Sequence, residues 1–170
     1  TEIETWGDGI LPHTPAPPPP GNLALNQSGA GFPRATASFS DRFGGQPGKA
    51  IDGKVNFQPN PINRWTSYGS TNASDWLEVD FGEPREFGRV EVLLYDDRGG
   101  VQSPAGYSLQ QFVDGDWRDV PNQAKSPATP AGSAVNTVSF SKVTTTNLRV
   151  VFNHQGKARS GVTELMVWKE

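Results

Sequence analysis

From Asn22 to the C-terminus, hydrophobic residues alternate with polar ones over short stretches separated by clusters of Gly, Pro, Asn, Asp and Ser. Alternation at every second position puts successive side chains on opposite faces of a strand. No window longer than ten residues keeps the period of an amphipathic helix. The pattern predicts strands over 35–39, 76–81, 86–94, 106–112, 117–119, 134–141, 147–152 and 161–168. Short strands at this spacing predict an all-β protein built as a β-sandwich. Within 76–81, Leu77, Val79 and Phe81 share one face and are expected to point into the core. Asp114-Gly115-Asp116, between Phe112 and Trp117, is a hairpin signal, because glycine supplies the positive φ that a tight turn requires. Trp65, Trp76, Trp117 and Trp168 lie in or beside strand patterns and are read mostly as core or inter-strand packing.

The alternation does not extend upstream of Asn22. Residues 12–21 are dominated by proline, whose ring fixes φ and removes a donor, so an extended semi-rigid spacer is expected there. A Pro-rich ligand for an aromatic groove is the alternative. Thr1-Glu2-Ile3-Glu4-Thr5-Trp6 nearly repeats Thr163-Glu164-Leu165-Met166-Val167-Trp168. The repeat predicts that residues 1–11 are the closing strand of a preceding domain, that 12–21 are a linker, and that 22–170 form the complete unit. On this expectation Glu2 is a remnant of a site like that of Glu164.

Composition narrows the possible functions. A chain of 170 residues has room for one domain with its own core and a linker. The net charge is -3 and the Lys and Arg residues are scattered, which excludes the basic stripe that nucleic acid requires. No apolar run approaches the roughly 20 residues that span a bilayer. The absence of cysteine excludes disulfides, thiolate nucleophiles and Cys-ligated metal.

Several segments together carry a resemblance: Asn22-Leu23-Ala24, Lys49-Ala50-Ile51-Asp52-Gly53, Asn63-Arg64-Trp65-Thr66-Ser67, 75–82 beginning Asp75-Trp76-Leu77, and the terminal 161–168. In order and spacing they resemble the discoidin or coagulation-factor type C family, which includes galactose-binding-like carbohydrate-binding modules of microbial glycosidases. The resemblance implies an eight-stranded jelly-roll β-sandwich with its ligand loops clustered at one end. It also implies a structural calcium ion, held by Asp52 and Glu164 with main-chain carbonyls of Lys49, Val55 and Thr163. Such a hard cation takes about six to eight oxygens. Where the family usually has Thr two residues before the Trp, this chain has Asn63, whose side-chain oxygen is expected to join the ligand set, and the connection Lys54 to Asn63 is longer than usual. The plainer reading makes Asp52 an Asx-turn and Glu164 a surface pair.

Sugar recognition needs flat apolar surface for the C–H faces of the ring and convergent polar groups for its hydroxyls. Three loops offer these residue types. The first contributes Asn56, Phe57 and Gln58 from a stretch stiffened by two prolines. The second contributes Tyr95, Asp96, Asp97 and Arg98, and the third Asn153 and His154. Arg34, Phe39, Arg42 and Phe43 lie in an early loop region from which one residue could rim the site. Against these, Phe57 could pack under its own loop, Asp96 and Asp97 could cap a turn with Arg98 paired to them, and His154 could be solvated.

The function expected is a noncatalytic carbohydrate-binding module, monomeric and extracellular, covalently linked to an upstream catalytic domain of a secreted glycoside hydrolase. Single sugar sites of this kind bind on the order of mM to µM. A small glycosidase would need Asp96 or Asp97 to work with Glu164, yet no acid has the apolar sequence context that raises a pKa. A Ser–His–acid hydrolase would have to use His154, and no Gly-x-Ser-x-Gly elbow is present. A protein- or phospholipid-binding adhesion module of the same fold would need apolar spikes flanked by Lys or Arg, and Phe57 beside Asn56 and Gln58 is a poor one, so membrane binding is not expected.

Overall fold

A computed structural model describes Pro17 and residues 19–170. The duplicated N-terminal motif, the expected domain remnant over 1–11 and most of the Pro-rich run lie outside the described residues. The described chain is all-β, with eight strands and one short 3-10 turn over Pro47–Ala50. The strands are β1 (Arg34–Ala37), β2 (Trp65–Thr66), β3 (Ser74–Leu94), β4 (Gly106–Val113), β5 (Asp116–Asp119), β6 (Ala124–Ser126), β7 (Ala134–Asn153) and β8 (Gly161–Trp168).

Two long strands build both layers of the sandwich. The first half of β3 pairs with β1 and with the second half of β7, whereas its second half pairs with β8 and with the first half of β7. Between the halves the β3–β7 register shifts at Asp80/Arg85 and again at Phe87/Arg89. Pro84, which has no N–H to give a ladder, falls inside the first irregularity, where such a residue is tolerated. Gly82 adopts φ +75 there, and a Cβ on it would lie 2.5 Å from the Phe32 ring. The bend therefore needs glycine for two separate reasons. Two expected strands thus join in β3 and two more in β7, while β2 and β6, of 2 and 3 residues, show no alternation that the sequence could reveal.

The two long strands leave and return at the same end of the sandwich, since Ser74 pairs with Asn153 and Leu94 with Ala134. Leu77, Val79 and Phe81 point into the core, as their spacing requires, with Val90, Val92, Leu94, Leu148, Val150, Phe152, Leu165 and Val167. Each contributes roughly 1.5–3 kcal/mol by burial. Trp65 is fully buried against Phe152, ring centroids 5.7 Å apart, and its Nε1 donates to Phe39 O at 2.9 Å. Trp76, Trp117 and Trp168 are only half-buried on strand faces. The guanidinium of Arg149 lies 5.8 Å from the Trp76 ring and 4.3 Å from that of Trp117.

The hairpin forms at Asp114-Gly115. Both residues have positive φ, 53 and 84, and Phe112 faces Trp117 across it. Asn22 clamps the start of the module to its last strand: Oδ1 accepts the N–H groups of Ala24 at 3.0 Å and Val167 at 2.9 Å. No helix among the described residues is long and apolar enough to cross a membrane.

Candidate glycan cleft and cation loop

The end at which β3 and β7 begin and finish carries the loops that follow β1, β2 and β3. Between them lies a cleft of about 210 Å³. Its lining includes Asp41 and Phe43 from the loop after β1, Arg64, Thr66 and Tyr68 around β2, and Tyr95 and Asp97 after β3. Alternation around buried Trp65 turns Arg64 and Thr66 away from the core and toward this cleft.

Asp41 builds the floor. One of its oxygens accepts the N–H groups of Phe43 at 2.7 Å and Gly45 at 3.0 Å, and the other accepts the Thr66 hydroxyl. A Cβ at position 45 would lie 2.1 Å from that carboxylate, so only glycine lets the backbone come this close. Phe43 and Tyr68 form the apolar wall. Their centroids are 6.0 Å apart, and they remain 70% and 46% exposed. The Arg64 guanidinium lies 4.0 Å above the Tyr95 ring, while Nη1 donates to Pro59 O at 3.1 Å. Its other nitrogens donate to no acceptor among the described residues and so remain available. Burial raises the Tyr95 pKa, Arg64 opposes the rise, and Asp97 and Asp96 add to it.

The residues expected to bind ligand are divided between three settings. Tyr95 and Asp97 line the cleft; Asp97 Oδ1 accepts the N–H groups of Gly99 and Val101, and Oδ2 accepts none among the described residues. Asp96 shapes its turn instead, accepting from Arg98 N at 2.7 Å and Ser103 N at 3.1 Å. Arg98, with φ 59, stands exposed at the tip, and enters no ion pair among the described residues. Asn56 spends its amide on its own loop, donating to Pro61 O and accepting from Gln58 N. Phe57 is half-buried and Gln58 exposed, and neither lines the cleft. Asn153 is exposed at the end of β7. His154 turns inward, with a side chain only 3% exposed. Its Nε2 lies 2.9 Å from Asp75 Oδ2 and its Nδ1 3.1 Å from Ser160 Oγ, so neither nitrogen is left for a ligand. Asp75 also accepts from Ser38 and Asn72; burial alone would raise its pKa, but these bonds hold it below the ordinary value.

The sequence singled out Phe43 only as one of several early-loop candidates and gave no role to Asp41, Arg64, Thr66 or Tyr68. The signal for the β2 residues was present, since the Trp65 alternation assigns them a side. Asp41 had none, because its role depends on the fold bringing Thr66 to it.

Beside the cleft, the loop 52–63 is tied to β8. Thr163 Oγ accepts Asn56 N at 2.8 Å, and Glu164 Oε1 accepts Gly53 N at 3.0 Å. Asp52 does form an Asx-turn, accepting Lys54 N at 2.9 Å, whereas Glu164 is fully buried rather than a surface pair. Burial raises the Glu164 carboxyl pKa to about 8, with the Gly53 N–H opposing and the Asp52 charge adding. Glu164 Oε2 is buried with no hydrogen-bond partner among the described residues. Asn63 Nδ2 meets the carbonyls of Lys49 and Lys54 and the Asp52 carboxylate. Of the carbonyls named from the resemblance, that of Lys49 meets this amide, as does that of Lys54, one residue before Val55, while the Thr163 hydroxyl bonds to Asn56.

A family model described as NedA-like, galactose-binding domain matches residues 49–150. The chain belongs to this family. Solved structures show the same fold for this galactose-binding domain. A chain from the Streptococcus pneumoniae β-galactosidase BgaA is 22% identical with a TM-score of 0.81, over 88% of this chain and 99% of that one. Chitosan-binding module 2 of a Paenibacillus sp. IK-5 chitosanase/glucanase, solved with chitotriose, is 23% identical with a TM-score of 0.64, over 86% and 99%. The family 32 carbohydrate-binding module of Clostridium perfringens NanJ, solved with galactose, is 19% identical with a TM-score of 0.59, over 78% and 90%. The fold is thus the discoidin-like β-sandwich of carbohydrate-binding modules.

Proposed function

We propose that this domain is a noncatalytic carbohydrate-binding module that holds an appended secreted enzyme near glycan. One observation carries the reading: the exposed Phe43–Tyr68 wall shares a cleft with Arg64 and Asp97, each of which keeps polar atoms free of protein partners. An aromatic wall suits the C–H face of a pyranose ring, and a guanidinium opposite a carboxylate oxygen suits its hydroxyls. The galactose and chitotriose complexes named above support the ligand class. Weak single-site affinity gains from tethering, because the linked enzyme is then held at high effective concentration on its substrate.

Asp96 and one oxygen of Asp97 hold turns through neighbouring backbone, and Glu164 is buried against Gly53 N, which counts against pairing either aspartate with Glu164 for glycoside hydrolysis. The test is a glycan array probed with the wild type and Arg64→Ala. Retention that is lost in the variant supports the cleft. Equal retention by both proteins would place the site elsewhere.

A structural calcium ion belongs to the same proposal, and the residues present fit it. The loop gathers two carboxylates and two carbonyls, and a buried Glu164 oxygen lacks any partner. Asp52, Glu164 and the carbonyls of Lys49 and Lys54 would hold the ion. It would bring positive charge to these oxygens, of which, among the described residues, only Asp52 has a cationic side chain near it, Lys54 Nζ at 3.8 Å.

A further inference from the structure

Asn63 stands where the cation loop needs positive charge. Its Nδ2 lies 2.9 Å from Lys54 O, 3.1 Å from Asp52 Oδ1 and 3.4 Å from Lys49 O. A side-chain amide has two hydrogens to give, so three acceptors oversubscribe it. The orientation follows from that chemistry, because the amide oxygen turned toward the same atoms would meet only lone pairs. A few residues away in the fold, Glu164 Oε1 takes the Gly53 N–H while Oε2, on a fully buried side chain, has no partner. The loop thus holds more oxygen lone pairs than its donors satisfy.

We infer that the Asn63 amide nitrogen is a built-in placeholder for the cation: it gathers Lys49 O, Lys54 O and Asp52 Oδ1 and turns over when calcium binds, presenting Oδ1 in its place. The inference rests on the calcium reading above and concerns how this chain tunes it. Calcium must displace the bonds that the amide makes, so the site binds more weakly than one with a third acid at position 63. A carboxylate there would add charge for calcium while removing the donor that holds the loop without it. Asn63 itself does not line the cleft, but its neighbours in sequence, Ile62 and Arg64, do. Lys49 Nζ braces the same segment, donating to Ile62 O at 3.3 Å and Gly44 O at 3.0 Å.

The experiment follows the Asn63 side-chain NH2 resonances of the isotope-labelled full chain during titration with calcium chloride, with calorimetry on the wild type and Asn63→Asp. The Asn63 signal should move to a new position as calcium is added, and Asn63→Asp should bind calcium at least about tenfold tighter while melting lower in chelator. If Asn63→Asp does not fold in chelator, the wild-type resonance still decides the matter. Calcium binding that leaves the Asn63 resonance in place, with no gain in Asn63→Asp, overturns the placeholder alone. Absence of binding to either protein at millimolar calcium overturns the calcium reading, and the placeholder with it.

Discussion

The cleft floor and the cation loop each bury one carboxylate, and the protein treats the two very differently. Asp41 has both oxygens filled, by two backbone N–H groups and a hydroxyl. Glu164 has one oxygen filled and one with no partner. Burial with enough donors makes a rigid floor, whereas burial without them raises the cost of charge. The first arrangement is complete as it stands, whereas the second would be completed by a proton or by the cation proposed above.

Titration breaks the comparison most sharply. The Glu164 carboxyl is raised from an ordinary 4.5 to about 8, so between those values the folded protein holds a proton that the unfolded chain has lost. In chelator, the stabilising contribution is full below about 4.5 and is lost as pH rises toward 8. The fall should amount to a few kcal/mol, read by urea unfolding across that window. Glu164→Gln should flatten the slope and gain stability at the alkaline end. An unchanged slope would show that Glu164 does not titrate as its burial demands.

The same acid-to-amide change at the floor should have the opposite sign. Asp41→Asn replaces an acceptor with a donor beside either the Thr66 hydroxyl or the paired N–H groups of Phe43 and Gly45. Leaving such groups unpaired costs about 1–3 kcal/mol. Loss of glycan retention should accompany the loss of stability, because the floor fixes both Phe43 and Thr66. A neutral Asp41→Asn would mean that the floor tolerates rearrangement and that the contrast with Glu164 is only one of exposure.

The contrast also explains what could be read from sequence. Period-two alternation found the core face of β3 correctly, because Leu77, Val79 and Phe81 are buried for a reason that is local to the strand. The Asp-Gly turn was legible for the same reason. Polar loop residues were not, since their use depends on partners distant in the chain. Asn56 is as polar as any sugar ligand, yet its amide goes to Pro61 and Gln58. His154 is consumed by Asp75, which lies 79 residues away in sequence. Asp41 becomes a site residue only because Thr66, 25 residues on, closes over it. The resemblance drew Glu164 and Asp52 together, while the Asn63 amide between the loop oxygens became visible only in the fold.

At the rim, the two regions separate by function rather than stability. Tyr68→Ala and Phe43→Ala remove exposed aromatic wall and should change stability by no more than about 0.5 kcal/mol. Each should weaken retention on a glycan array by roughly threefold to tenfold, the share an aromatic contact of about 0.5–1.5 kcal/mol carries. Tyr68 should matter more, because its ring also closes on Gly100, where a Cβ would lie 2.3 Å away.

The smallest effects should come from the residues that the sequence favoured but the cleft does not use. Phe57→Ala removes a half-buried ring from the cation loop, and Arg98→Ala removes an exposed side chain at the tip of the neighbouring turn. Neither lines the cleft, so each should change glycan retention less than Tyr68→Ala does, measured side by side on the same array. Phe57→Ala should instead act on the cation loop, lowering the melting temperature in chelator more than in calcium. Arg98→Ala should alter neither property. A loss of retention in Arg98→Ala equal to that in Tyr68→Ala would move the ligand outward onto the turn after β3 and make the Phe43–Tyr68 wall a bystander.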